Sequence, residues 1–77
     1  MQSESVLPRP VMVREVPIAL CQFLKLGGLT ASGGEAKMVI HAGLVRLNGT
    51  IETQKRKKLA VGDHVTFNGL TLVVQLS

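Results

Sequence analysis

The chain has 77 residues, 45% of them hydrophobic, and a formal net charge of +4. This length allows one domain that buries only roughly 60–65% of its unfolded surface, and the apolar content excludes a disordered chain. No apolar run approaches the ~18 residues of a membrane span. The N-terminus lacks the basic-then-apolar pattern of a secretory signal, and a single cysteine permits no internal disulfide, so a reducing, cytoplasmic location is expected.

Residues 1–13 carry Ser, Gln, Glu and two prolines around a few apolar positions. They read as a flexible tail ending in a short edge strand at Val11–Val13, with a single domain at 14–77. Val16 is extended because it precedes Pro17, and Pro17 suits a first helical position, where its missing N–H would be unpaired anyway. The first helix is predicted from Pro17 to about Leu26. Leu20, Phe23 and Leu24 form its apolar stripe, with Cys21 as a small core residue at the flank, and Gly27-Gly28 stops it.

The second helix starts on a capping box. The Ser32 hydroxyl accepts from the Glu35 N–H while the Glu35 carboxylate reaches back to the Ser32 N–H. Ala36, Val39, Ile40 and Gly43 recur at i, i+3, i+4 and i+7 as one inward face, and Gly43 caps the end. The period then changes to two. Val45 and Leu47 alternate with Leu44, Arg46 and Asn48 in a strand ending at the Asn48-Gly49 turn. A two-residue hairpin there would set Leu47 against Thr50 and Arg46 against Ile51. The apolar sides do not match in that register, so a bulge or wider bend is expected. Around Asn68-Gly69 the match is clean: Phe67 opposes Leu70, Val65 opposes Leu72, and Val74 continues the same face over the helix pair. The predicted fold class is α+β, two packed N-terminal helices followed by a small, twisted, mostly antiparallel sheet.

Charge divides unevenly. Residues 1–36 balance three basic groups against three acidic ones, whereas 37–77 hold six basic groups against Glu52 and Asp63, so the whole +4 belongs to the second part. Lys55, Arg56, Lys57 and Lys58 are consecutive, between the Asn48-Gly49 and Gly62-Asp63 turn signals. They therefore sit on a loop of the folded body. A pI of about 9.9 exceeds the roughly 9 that marks a nucleic-acid candidate. A fixed positive cluster suits a regularly spaced polyanion; the plainer alternative is a solvated lysine loop.

Residues 18–67 resemble the S-four RNA-binding domain, named after small-subunit ribosomal protein four and also called the alpha-L motif. The resemblance is carried by LKLGGL at 24–29, SGGEAK at 32–37, AGLVRLNG at 42–49 and KLAVGDHV at 58–65. Ala36, Gly43, Val45, Asn48, Gly49, Gly62, Asp63 and Val65 fall at the family's spacing. SGGEAK together with Glu52, Lys58 and Leu59 looks most like the short stand-alone members of the YbcJ type. The resemblance implies a module that binds structured RNA, ribosomal or transfer, through the second helix and the following strand and loop, with the ribosome as a further expected partner. Many members carry an arginine after the capping serine, where this chain has Gly33.

Two readings of Gly33 and Gly34 stand side by side. As the first residues of a helix they present unpaired N–H groups that no side chain shields, at the positive end of the helix dipole. A phosphate there would have Lys37 one turn on as its counter-charge, His41 a turn further, and Lys25 near the rim. Alternatively, the glycines only let the two helices cross closely. Arg46 points opposite to Val45 and Leu47 and is expected to extend the basic surface toward the loop. Asn48 reads first as a turn residue with positive φ and second as a base-edge or sugar contact. Glu52 is a surface partner for Lys55 or Arg56, worth about 0–1 kcal/mol. Asp63 reads as a turn residue.

The expected RNA-binding set is thus Lys25, Gly33, Gly34, Lys37, His41, Arg46, Asn48, Lys55, Arg56, Lys57 and Lys58. The two phenylalanines occupy core-like positions, and there is no Tyr or Trp. Single-strand readers stack bases on exposed rings, so folded or double-stranded RNA is the expected partner. Cys21, Ser32, His41, Asp63 and His64 form no nucleophile or metal spacing. No catalysis, metal, cofactor, small-molecule substrate or membrane is expected. The competing class is a ribosome-associated adapter whose basic loop meets an acidic protein.

Overall fold

Helical and strand periodicities place their apolar residues on opposing surfaces, and these surfaces meet as one core. The structure is a computed structural model and describes residues 7–77; the expected tail at 1–6 lies outside the described residues. The elements are β1 Arg9–Val13, β2 Ile18–Ala19, α1 Leu20–Leu26, α2 Gly33–His41, β3 Val45–Leu47, β4 Thr50–Ile51, β5 Lys58–Leu59, β6 His64–Phe67 and β7 Leu70–Leu76. Five strands form a sheet in the order β1-β7-β6-β3-β4, and β2 pairs with β5 apart from it. Only the β1–β7 pairing is parallel among the described residues. This is the α+β arrangement the sequence predicts.

Val13, Val45, Val65, Leu72 and Val74 bury one face of the sheet against Leu20, Phe23 and Leu24 of α1 and Ala36 and Ile40 of α2. Each large apolar side chain so buried contributes roughly 1.5–3 kcal/mol. The Asn68-Gly69 hairpin has the predicted register, with Phe67 opposite Leu70 and Val65 opposite Leu72.

Four local expectations are corrected. The edge strand begins at Arg9, so residues 9–13 of the stretch read as a tail pair along β7. Pro10 is tolerated there because β1 is an outer strand. The first helix begins at Leu20, three residues later than expected. Ile18 and Ala19 are drawn into pairing with Leu59 and Lys58, and the Leu20 and Cys21 N–H groups donate to the Lys57 and Lys55 carbonyls at 2.9 and 3.0 Å. Ala19 supplies no side-chain cap, so loop carbonyls satisfy the helix start instead.

The Ser32 hydroxyl accepts from Glu35 N–H at 3.1 Å, as predicted, but Glu35 Oε1 takes the Ala31 N–H at 2.7 Å in place of that of Ser32. Finally, Asn48-Gly49 is a tight two-residue turn without a bulge: Arg46 faces Ile51 and Leu47 faces Thr50. Asn48 and Gly49 take φ of 52° and 85°, the combination Asn-Gly favours. Both residues of β4 are exposed, so no buried face demanded an apolar match and turn chemistry set the register.

Candidate nucleic-acid interface

The basic loop is held by its main chain, which leaves its side chains free. Glu52 Oε2 accepts from Gln54 N–H at 3.1 Å, shaping the loop entry where a pair with Lys55 or Arg56 was expected. Lys57 N–H closes a turn on the Gln54 carbonyl at 3.1 Å. The Lys55 and Lys57 carbonyls then receive the α1 bonds described above, and Lys58 pairs with Ala19. With the backbone facing α1, the side chains of Lys55, Arg56, Lys57 and Lys58 are all exposed.

Two adjoining grooves open beside this loop. In the first, α1 contributes Cys21, Gln22 and Lys25, α2 contributes Gly33 and Lys37, and the loop contributes Arg56 and Lys58. Lys37 and Arg56 continue into the second, with His41, Gln54 and Lys55. Residues far apart in sequence thus share one surface: Lys25, Gly33, Lys37, His41, Lys55, Arg56 and Lys58. Lys57 and Gly34 neighbour it without lining either groove. Gln22 belongs to the surface but not to the expected set. Its position three residues before Lys25 puts the two on one helical face, a signal the sequence did contain.

The geometry separates the two readings of the α2 start. A Cβ at Gly33 would meet nothing within 4 Å, and one at Gly34 only Ser32 Oγ at 3.8 Å. The helices do not cross closely there. The glycine that does permit close approach is Gly27, whose added Cβ would collide with the Leu72 side chain and sit 3.3 Å from the Phe23 carbonyl oxygen.

Arg46 and Asn48 do not join the grooves. Val45 is buried, so strand alternation turns Arg46 to the sheet face away from the helices. There it shares a row with Thr66, whose hydroxyl meets that of Thr71 at 2.8 Å, and its Nη1 donates to the Gly49 carbonyl at 3.2 Å. The Asn48 side chain is committed to protein. Its Nδ2 donates to Asp63 Oδ1 at 3.2 Å and its Oδ1 accepts from His64 N–H at 2.9 Å. The Asp63 turn role holds: Oδ2 accepts from Ala60 N–H at 2.8 Å.

His41 and His64 belong to different surfaces, and the His64 Nδ1 lies 2.9 Å from the Gly62 carbonyl oxygen. Among the described residues, no group of three or more His, Cys, Asp or Glu is arranged to hold a metal. No helix among them is long and apolar enough to cross a membrane.

Residues 11–75 match the family model described as the S4 domain. The chain belongs to the S4-domain family. As an S4-domain protein it is 42% identical over 57 residues to YbcJ of Escherichia coli (strain K12), named as a candidate RNA-binding protein. That match covers 74% of this chain and 81% of YbcJ. It is 35% identical over 63 residues to RlbA of Bacillus subtilis (strain 168), named as a probable ribosome maturation protein, covering 82% and 89% of the two chains. The solution structure of E. coli YbcJ, described as revealing an alfaL motif involved in RNA-binding, superposes with a TM-score of 0.67 at 35% identity. It covers 96% of this chain and 95% of YbcJ.

Proposed function

We propose that this S4-domain protein binds structured RNA, ribosomal or transfer, through the surface formed by α1, the start of α2 and the basic loop. The observation that carries the reading is the convergence of Lys25, Lys37, Arg56 and Lys58 with the open α2 start at Gly33 on one groove. Cations clustered on one side of a small rigid body raise the local potential for a polyanion. The Gly33 and Gly34 N–H groups add donors suited to a phosphate oxygen. The name of YbcJ supports an RNA partner, and that of RlbA a ribosomal setting.

The aromatic residues favour recognition by shape and charge. Phe23 is fully buried and Phe67 packs against the core, so neither offers an exposed ring on which to stack a base. The contacts of this reading fall on phosphates, riboses and the form of a folded RNA. It is a binding role without catalysis, exercised in the cytoplasm and on or near the ribosome.

A gel shift against a mixed ribosomal and transfer RNA pool tests it. The native protein should retain RNA. A variant with Lys55, Arg56, Lys57 and Lys58 reversed to Glu should lose retention while keeping a folded spectrum. Four to five phosphate contacts would give a log–log salt slope of roughly −3 to −4.5. Failure of the native protein to retain RNA would overturn the proposal and favour the adapter role.

A further inference from the structure

We propose that Asn48 and Asp63 form a latch that sets the basic loop against the helix starts, which makes them positioning residues for RNA binding. The inference rests on the RNA-binding reading above. The side-chain bond between them spans the base of the stretch 49–62, which contains the whole basic loop. Every side-chain polar atom of the pair has a use. Asn48 Nδ2 donates to Asp63 Oδ1, Asn48 Oδ1 accepts from His64 N–H, and Asp63 Oδ2 accepts from Ala60 N–H. Asn48 N–H adds a main-chain bond to the His64 carbonyl at 2.7 Å.

Turn chemistry does not require these side-chain bonds. Asn68 adopts φ of 54° before Gly69 at 81°, nearly the same turn as Asn48-Gly49, and its amide makes no comparable bonds among the described residues. The 60–63 turn is itself fastened to the sheet: Gly62 N–H donates to the Val74 carbonyl at 2.9 Å and Val74 N–H to the Asp63 carbonyl at 3.0 Å. The latch therefore joins two fixed points, one before the loop and one after it. Midway, the Lys55 and Lys57 carbonyls hold the α1 start. A loop closed at its base and pinned at its centre presents ordered cations, and binding then costs less in ordering.

The test exchanges the two side chains. Asp63→Asn alone sets amide donors against each other or gives up the Ala60 bond, and Asn48→Asp alone sets two carboxylates face to face. The double variant N48D/D63N restores a donor opposite an acceptor in every bond and keeps the native net charge. Two readouts apply: amide exchange at Leu20 and Cys21, which needs no RNA, and affinity for the ribosomal and transfer RNA pool. Each single variant should exchange those amides about tenfold faster and bind RNA about tenfold more weakly, and the double variant should recover both. Charge alone predicts the opposite for Asp63→Asn, which removes a negative group and would tighten RNA binding.

Unchanged exchange at Leu20 and Cys21 in the single variants, or no recovery in the double, would overturn the latch. Faster exchange with unchanged RNA affinity would overturn the positioning role and leave the RNA-binding reading standing. No RNA binding by the native protein would overturn both. If a single variant unfolds, Asn48→Gly preserves the turn while removing the amide, and the same two readouts decide.

Discussion

The end of α1 and the start of α2 both carry glycine, and the two sites do opposite things. At Gly27 the helix meets the sheet so closely that an added Cβ would strike Leu72. At Gly33 there is open space on the surface that gathers Lys25, Lys37, Arg56 and Lys58. A glycine at a helix terminus signals that something approaches the backbone. At Gly27 that neighbour is the core, and at Gly33 it is proposed to be the ligand. The contrast matters because, on the proposed reading, the open main chain at Gly33 meets the RNA with no side chain between them.

Substitutions can break or sharpen this contrast. The largest effect is expected from Gly27→Val, which overpacks the contact with Leu72 and should cost about 1–3 kcal/mol, read as a lower urea midpoint. Ser32→Ala removes the acceptor for Glu35 N–H and should cost about 1 kcal/mol, measured in the same way. Gly33→Ala should leave stability unchanged or raise it by up to about 1 kcal/mol, since alanine favours a helix and has room there. Its RNA affinity should nevertheless fall, because the methyl group stands between the main chain and a phosphate. A Gly33→Ala variant that binds as tightly as native would mean that the α2 start takes no part. The smallest effect is expected from Arg46→Ala, with a stability change within about 0.5 kcal/mol and unchanged RNA affinity, because its side chain lies on the far sheet face.

Local signals in the sequence announced most of the scaffold. The Leu20, Phe23 and Leu24 stripe, the Ser32 cap on Glu35 N–H and the Asn68-Gly69 hairpin depend on neighbours within a few positions, and each appears where its chemistry demands. The Asn48-Gly49 turn was placed correctly, but its tight form was not expected. What stayed hidden depends on distant partners. Nothing near Arg9 indicates that β7, at the other end of the chain, will pair with it. Nothing near Pro17 indicates that carbonyls at 55 and 57 will receive the α1 donors and fix the helix start at Leu20.

The candidate surface divides the same way. Lys25, Lys37, Gly33 and the basic loop were legible as charges and a helix start, and the fold brings them together, with Lys55, Arg56 and Lys58 of the loop lining the shared grooves. Arg46 lies off those grooves, a placement its plain alternation with Val45 already implied. That alternation fixes its face of the sheet, and the helices with their cations cover the other. Asn48 looked complete as a turn residue, and its second use depends on Asp63, whose partner local sequence could not name.

The attachment of the loop to α1 carries an electrostatic consequence. Four neighbouring cations repel one another, and two main-chain bonds to Leu20 and Cys21 help hold them together. Added salt weakens that repulsion, so it should steady the unliganded protein while loosening its grip on a polyanion. Ionic strength then pulls folding and association in opposite directions through one short segment.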